Sequence, residues 1–242
     1  MDSLSRALPK TLSPIYGATE LPQLLAELGL STAASLADPT LGHPVTAARS
    51  SWVRRTESGA SSYFIKVYSY SGIGSQLRGA ARNTGPCTHS RALREARALL
   101  WLTQQGFPGP RPVVVLEARR WKLLTMAVLV TVAWPGENLD RLLPQLAPAR
   151  RLQLAKELGQ LVANLHRRGF RDRNLDLRNV LARERPDQSF ELCKIDSGRF
   201  RIVAAGAHED ALARADWDRL LPQLEPFGLA AVVRDAARAA MA

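Results

Sequence analysis

The chain has 242 residues, of which 46% are hydrophobic and 23% charged, and these proportions exclude an intrinsically disordered protein. Its longest uncharged apolar stretch runs from Leu123 to Trp134 and is too short for a membrane-spanning helix. The net charge of +11 is concentrated in residues 45–125, where thirteen Lys and Arg stand against three Asp and Glu. Such an excess of positive charge favours anionic partners.

The cysteine and histidine content argues against a structural metal or a disulfide framework. There are two cysteines and four scattered histidines, without the spacing of a zinc site. The first residues contain no apolar core of a secretory signal. We therefore expect a protein of the reducing cytoplasm.

The first part of the chain predicts an extension followed by a sheet with one helix. Residues 1–44 form the extension and include a short amphipathic helix at 21–30. Hydrophobic alternation and turn residues predict strands at 46–55, 61–69, 113–118 and 123–134. A leucine-striped helix is predicted at 90–106, with Ser90 as its N-cap and Gly106 after its end.

Beyond residue 134 the pattern is mostly helical. Helices are predicted at 138–146, 148–169, 215–224 and 229–242, with a strand at 190–196. Strands with one helix followed by several helices predict an α+β protein with two lobes, at 45–133 and 134–242.

Four features that suit phosphoryl transfer follow one another along the chain. Lys66 lies in a strand and Glu95 in the next helix, and such a pair can hold the α- and β-phosphates of ATP. A loop carries Asn179, and a strand ends at Asp196; both side chains can hold magnesium. Each feature alone is ordinary, but their order is what the reaction requires.

This order resembles the protein-kinase-like fold and, within it, the bacterial lipopolysaccharide kinase family, which phosphorylates heptose or Kdo sugars of the inner core. The resemblance covers residues 46–202, and the stretches that carry it are YFIKVY, QLRGAARN, SRALREARALLWLTQQGFPGPRPV, VTVAWPGENLDRLL, LGQLVANLHRRGFRDRNLDLRNVLA and KIDSGRF.

The resemblance implies roles for individual residues and implies ATP and Mg²⁺ as cofactors. Lys66 would bind phosphate with Glu95 as its partner, and Asn179 and Asp196 would ligate the metal. Backbone groups of residues 132–134 would hold the adenine; these residues are Val132, Ala133 and Trp134.

Two departures from the family pattern stand out. No glycine-rich loop precedes Lys66, and the pair Gly72 and Gly74 follows it. Asn174 occupies the position of the catalytic aspartate, and an amide cannot take up a proton at neutral pH. Asp172 and Asp176 flank Asn174 and are the alternative candidates for the base, although each could instead pair with neighbouring arginines.

Several functions follow as hypotheses. The first is a kinase for a sugar hydroxyl of an anionic glycan or glycolipid, working at the inner face of the membrane, where basic residues would meet an acidic surface. The alternatives are a pseudokinase scaffold and a kinase of protein Ser/Thr or of a small molecule. Specific nucleic-acid binding is not expected, because no recognition motif occurs. The candidates for the basic surface are Arg78, Arg82, Arg91, Arg94 and Arg97.

Overall fold

The structure is a computed structural model that describes residues 13–17, 26–28, 42–48, 51–70, 89–120, 123–204 and 210–241. The chain divides into two compact units, Met1–Trp101 with Pro110–Trp134 and Leu102–Gly109 with Pro135–Ala242. Most of the predicted helix 21–30 lies outside the described residues, as do Gly72, Gly74, Arg78 and Arg82. No helix in the described parts of the chain is long and apolar enough to cross a membrane.

The described part of the first unit contains a six-stranded antiparallel sheet, a helical turn at residues 26–28 and one long helix. The strands are β1 (Ser13–Gly17), β2 (His43–Ala48), β3 (Ser51–Ser58), β4 (Ser61–Ser69), β5 (Arg111–Arg120) and β6 (Leu123–Val132), in the order β1-β5-β6-β4-β3-β2. The helix is α1 (Arg91–Gln104). The stretch predicted as one strand at 46–55 belongs to two antiparallel strands, β2 and β3, because the chain reverses within it, where Ala48 pairs with Ser51.

Both outer strands of this sheet belong to the first 48 residues. β1 pairs with β5 although about a hundred residues separate them in sequence. Each outer strand has a proline followed by a shift of register, at Pro14 in β1 and at Pro44 in β2. Residues of the predicted extension are therefore part of the sheet.

The two faces of the sheet are covered by different segments. One face packs Ile65, Val67 and Met126 together with Leu28, which is 2% exposed. The other face packs Tyr68 and Leu129 against small residues of α1. Because consecutive strand residues point to opposite faces, Lys66 lies on the side of α1.

Helix α1 begins as the sequence predicts. The Ser90 hydroxyl accepts a hydrogen bond from the Leu93 amide at 3.0 Å, which caps the first turn. The Ser90 amide donates to Glu117 Oε1 on β5 at 3.3 Å. Gly106, with φ of 79°, follows the end of the helix. The helix is thus attached at its first turn both by its own cap and by the sheet.

The second unit is mostly helical, with short strands between the helices. Its elements are β7 (Glu137–Asn138), α2 (Leu139–Leu142), α3 (Pro148–Arg167), β8 (Phe170–Arg171), β9 (Val180–Glu184), β10 (Phe190–Lys194), β11 (Arg201–Ile202), α4 (Ala211–Leu220) and α5 (Ala230–Met241). β10, β9 and β7 form one sheet, and β11 pairs with β8. β10 ends at Lys194, so Asp196 lies two residues beyond the strand rather than at its end.

The hexapeptide RLLPQL occurs twice and adopts the same local structure both times. In each copy an α-helix gives way to a 3₁₀ turn, Leu143–Gln145 after α2 and Leu221–Gln223 after α4. The proline has no amide hydrogen for the α-helical bond, which ends the helix. The α-helices therefore end at Leu142 and Leu220, before the carboxyl ends predicted for the helices at 138–146 and 215–224.

Helices α3 and α5 pack closely at Gly159. A Cβ atom on Gly159 would lie 2.3 Å from the Val233 carbonyl oxygen and 2.9 Å from Ala236 Cβ. Only glycine permits this approach of the two backbones. The packing fixes α3, which precedes β8 and the loop that carries the candidate residues.

Candidate active site

The predicted ion pair between strand and helix is present in the first unit. Lys66 Nζ lies 3.0 Å from both carboxylate oxygens of Glu95. Glu95 is 5% exposed and also accepts a hydrogen bond from the Tyr68 hydroxyl at 2.7 Å. The pair is confirmed, and the structure adds Tyr68 to it.

The segment predicted to hold the adenine follows β6. The Ala133 amide donates to the Ser62 carbonyl at 2.8 Å, and Val132 is paired with Tyr63 in the sheet. Trp134 is buried. The Ala133 amide is therefore used within the sheet, and in this arrangement it is not a donor for a purine base.

The loop of residues 172–179 follows the β8 strand in the second unit and is held by Asp216 of α4. Asp216 is 1% exposed and accepts hydrogen bonds from the amides of Asp172 at 3.0 Å and Arg173 at 2.7 Å. His166 Nε2 lies 3.3 Å from the same carboxylate, and its ring makes an edge contact with Trp217. The loop backbone is thus fixed from an adjacent helix.

Asn174, Asn179 and Asp196 are brought together. Asn174 Nδ2 donates to the Asp196 carbonyl oxygen at 3.2 Å and to Asp196 Oδ2 at 3.4 Å. Asn179 Nδ2 donates to the Asn174 carbonyl at 3.0 Å. The Asn179 backbone amide donates to the Asp176 carbonyl at 2.9 Å and closes the turn between these two residues. The three predicted residues form one hydrogen-bonded cluster.

Two residues of this region have left-handed backbone conformations. Arg173 has φ of 57° and Asp196 has φ of 56°. Such conformations are costly for residues with a side chain and persist only where surrounding contacts enforce them. Here the Asp216 carboxylate holds Arg173, and the Asn174 side chain holds Asp196.

Asp172 lies in the protein interior. It is 2% exposed, and its Oδ2 lies 3.0 Å from Nζ of Lys194, which is equally buried. Burial raises the pKa of Asp172 above its ordinary value, while the Lys194 ammonium and the Ser197 hydroxyl act in the opposite direction. A carboxylate in this position is not accessible to an acceptor hydroxyl.

Asp176 is engaged by two arginines. Its carboxylate accepts hydrogen bonds from Arg178 Nε at 3.0 Å and Nη2 at 2.9 Å, and Arg219 Nη2 lies 3.3 Å away. It also accepts from the Arg178 amide, which caps the 3₁₀ turn Leu177–Asn179. The hydrogen bonds from Arg178 hold the pKa of Asp176 below its usual range. The low pKa makes Asp176 a weak proton acceptor.

The cluster fits a magnesium ion held between protein and phosphate. Mg²⁺ prefers oxygen ligands and is commonly bound by one or two protein groups together with phosphates and water. Asp196 supplies a carboxylate. Asn179 donates through its side-chain nitrogen to the Asn174 carbonyl, so its side-chain oxygen is the atom that could ligate the ion. No group of three or more His, Cys, Asp and Glu suited to a metal occurs in the described ranges. A site where phosphates and water supply the other ligands does not require such a group.

Three residues with structural roles at the site were not predicted. Tyr68 could have been found from its position two residues after Lys66, on the same face of the strand. No sequence pattern identified Lys194 or Asp216, because an isolated Lys or Asp in an otherwise apolar strand or helix usually points to solvent. Their partners lie 22 and 44 residues away along the chain.

Comparisons with known proteins identify the family and the fold. A family model described as "Lipopolysaccharide kinase (Kdo/WaaP) family" matches residues 47–222. A solved structure described as "WaaP in complex with acyl carrier protein" has 17% identity and a TM-score of 0.58, and the match covers 94% of this chain and 99% of that one. No curated protein matches the chain. The structural match confirms the mixed fold with its antiparallel sheet and helices.

Proposed function

Since the chain belongs to the lipopolysaccharide kinase (Kdo/WaaP) family, we propose that it transfers the γ-phosphate of ATP to a hydroxyl of a lipopolysaccharide core sugar. Membership of this family supports phosphotransfer to a core sugar. ATP as the donor, Mg²⁺ as the metal and the residue roles below are parts of the proposal.

The Lys66–Glu95 pair is the observation that carries the proposal. An ammonium fixed by a buried carboxylate can bind two phosphates without losing its orientation. Glu95 provides this support from α1 through two contacts of 3.0 Å. An unpaired Lys66 would leave the buried Glu95 carboxylate without its cation, which is costly.

In the second unit, Asn179 and Asp196 are the proposed ligands of Mg²⁺. When bound, the ion would neutralise charge on the phosphates. The hydrogen bond from Asn174 fixes the Asp196 carboxylate, and the bond from Asn179 to the Asn174 carbonyl fixes the loop. These contacts orient both ligands before any phosphate arrives.

The acceptor hydroxyl would be oriented by Asn174 rather than deprotonated by a strong base. The Asn174 amide can accept or donate a hydrogen bond but cannot take up the proton. Asp172 is buried with Lys194, and Asp176 is bound by arginines, so neither replaces the missing base. Because phosphoryl transfer depends mainly on positioning and charge neutralisation, a slow reaction remains compatible with this loop.

Phosphotransfer from labelled ATP to a purified lipopolysaccharide core glycolipid tests the proposal. We expect Mg²⁺-dependent labelling of the glycan that Lys66→Met abolishes. The matched control is Lys156→Met, because Lys156 is an exposed lysine on α3. Labelling of a protein or a small molecule instead of the glycan would show that the protein is a kinase with a different acceptor. Equal activity of Lys66→Met and the wild type would overturn the proposed role of Lys66.

The second candidate is a pseudokinase scaffold, and the Asn174 substitution favours it. In that case the protein would bind ATP without transferring phosphate to any glycan, protein or small-molecule acceptor. Isothermal titration with Mg²⁺-ATP, run beside the labelling assay, separates the two candidates. Binding with no transfer to any acceptor class supports the scaffold.

The partners and location are also proposals. The basic excess of residues 45–125 suits an anionic glycolipid and the inner surface of the membrane. Of the three α1 arginines proposed for this surface, Arg97 is exposed, whereas Arg91 and Arg94 are half-buried. The described relative is in complex with acyl carrier protein, so we include a carrier protein among the partners. Co-migration of the chain with purified acyl carrier protein in gel filtration tests this partner.

A further inference from the structure

We propose that Tyr68 is a positioning residue that holds Glu95, and through it Lys66, in the paired arrangement. This inference rests on the proposed function for its catalytic consequence, but its structural part stands on the contacts alone. The Tyr68 hydroxyl donates to Glu95 Oε2 at 2.7 Å, shorter than either Lys66 contact.

The depth of the site explains why a second donor matters. Glu95 is 5% exposed and Tyr68 is 3% exposed, so water contributes little to the solvation of the carboxylate. A carboxylate in such surroundings is stabilised only by the hydrogen bonds that the protein supplies. Lys66 supplies one donor group, which must also bind phosphate during the reaction. The Tyr68 hydroxyl remains on Glu95 whatever Lys66 binds.

The tyrosine ring also contacts both neighbouring cations. Lys66 Nζ lies 5.6 Å and Arg91 Cζ lies 5.2 Å from the ring centroid. Both distances are within the range of cation–π attraction. Arg91 is in the first turn of α1 and Glu95 in the second, so Tyr68 contacts the helix at two successive turns. The ring thus attaches α1 to β4 next to the lysine.

The hydroxyl makes outward movement of α1 unfavourable. If Glu95 moved away, the hydrogen bond from the Tyr68 hydroxyl would be lost together with the ion pair. The first turn is attached separately, through Ser90 and Glu117. The helix is therefore fixed in the paired state by residues of its own unit.

Tyr68→Phe isolates the hydroxyl because it keeps the ring and its contacts with the cations. Tyr63→Phe is the matched control, since Tyr63 lies on the same strand but packs against the opposite face of the sheet. Tyr68→Leu removes the ring as well and should show a larger effect. All three variants keep an apolar side chain suited to the strand.

Two measurements test the inference. The first is backbone hydrogen exchange of α1, which does not depend on activity; we expect Tyr68→Phe to increase exchange around Glu95 by about ten-fold, and Tyr63→Phe to leave it unchanged. The second is phosphotransfer, where Tyr68→Phe should lower kcat by about ten-fold and Tyr63→Phe should leave it unchanged.

The outcomes separate this inference from the proposed function. Exchange in α1 that is equal in Tyr68→Phe and Tyr63→Phe overturns the positioning role, whatever the activity. Wild-type protein that transfers no phosphate, together with increased exchange in Tyr68→Phe, overturns the proposed function and supports the positioning role. Increased exchange with unchanged kcat overturns the link from Tyr68 to Lys66.

Discussion

Asn174 Nδ2 lies 3.4 Å from Asp196 Oδ2 and 3.2 Å from the Asp196 carbonyl oxygen. An amide can approach a carboxylate this closely because it donates to it, whereas a second carboxylate would repel it. The asparagine at the proposed catalytic position therefore holds the proposed metal ligand by hydrogen bonds but provides no proton acceptor.

Asn174→Asp should raise the rate of phosphotransfer. The new carboxylate restores a proton acceptor, which is worth about 10²–10⁴ in rate. The new carboxylate would also lie beside Asp196, which repels it. Because Mg²⁺ offsets this repulsion, the gain in rate should require saturating Mg²⁺. Steady-state transfer to the core glycolipid, measured across magnesium concentrations, checks this. Asn174→Ala, which removes the hydrogen bond without adding a base, is the control. A variant no faster than an active wild type would show that Asn174 does not stand where a base acts, whereas no transfer by either protein to any acceptor, while ATP still binds, would count against the kinase.

Asp196→Ala should abolish the magnesium dependence of ATP binding and leave the fold intact. Asp196 is half-buried beyond the end of β10, so the change creates no cavity in the core. Calorimetric titration with ATP, with and without Mg²⁺, gives the measurement. Asp187→Ala serves as the control because Asp187 is an exposed residue of the β9–β10 turn. Unchanged affinity for ATP in the presence of Mg²⁺ would remove Asp196 from the site.

Asp176→Asn should make the free energy of unfolding less sensitive to acid. Asn keeps the capping of the 3₁₀ turn but loses the attraction of Arg178 and Arg219, which are largely exposed, so the cost at pH 6 should be below about 1 kcal/mol. The folded-state pKa of Asp176 lies below that of an unfolded aspartate, about 3.9. The stabilisation is therefore present above about pH 4 and is lost as the pH falls through the folded-state pKa.

Urea unfolding of the wild type and Asp176→Asn at pH 6 and at pH 3 measures this effect. The difference between the two proteins should shrink at pH 3. A difference that is the same at both pH values would show that the carboxylate charge does not stabilise the loop. Asp235→Asn is a suitable control, since Asp235 pairs with Arg238 at an exposed position on α5.

Lys194→Met should destabilise the protein strongly. It leaves the Asp172 carboxylate buried without its cation, and breaking such a pair costs about 3–5 kcal/mol. The double variant Asp172→Leu with Lys194→Met removes both charges and should recover most of the loss. Chemical denaturation of the three proteins checks this. Equal destabilisation by the single and the double variant would mean that the ion pair contributes nothing beyond its packing.

Local pattern predicted part of the fold well. Ser90 caps α1, and the strand–helix spacing brought Lys66 to Glu95, because both depend on residues that are close in sequence or on adjacent elements. The end of the predicted helix at 138–146 was wrong, since one proline inside an apolar pattern converts the last turn to 3₁₀.

Contacts between distant parts of the chain were not predictable. The pairing of β1 with β5 depends on a strand of only five residues, β1, whose short pattern would fit many positions. The Asp216 carboxylate accepts hydrogen bonds from the backbone amides of Asp172 and Arg173. Every residue except proline has a backbone amide, so the sequence does not indicate which of them will bind a side chain. At the site, composition identified the candidate bases, but only burial and partners showed that Asp172 and Asp176 are engaged elsewhere.

The prolines of β1 and β2 have a consequence for how copies of the protein behave at high concentration. An open sheet presents unpaired amides and carbonyls along its outermost strands, and these invite strand addition from another molecule. Pro14 and Pro44 have no amide to offer, and the register shift beside each one interrupts the regular spacing of donors. Removal of residues 1–17 would expose all of β5, with its apolar run Val113–Leu116, as the new margin. We expect molecules shortened in this way to associate through that margin.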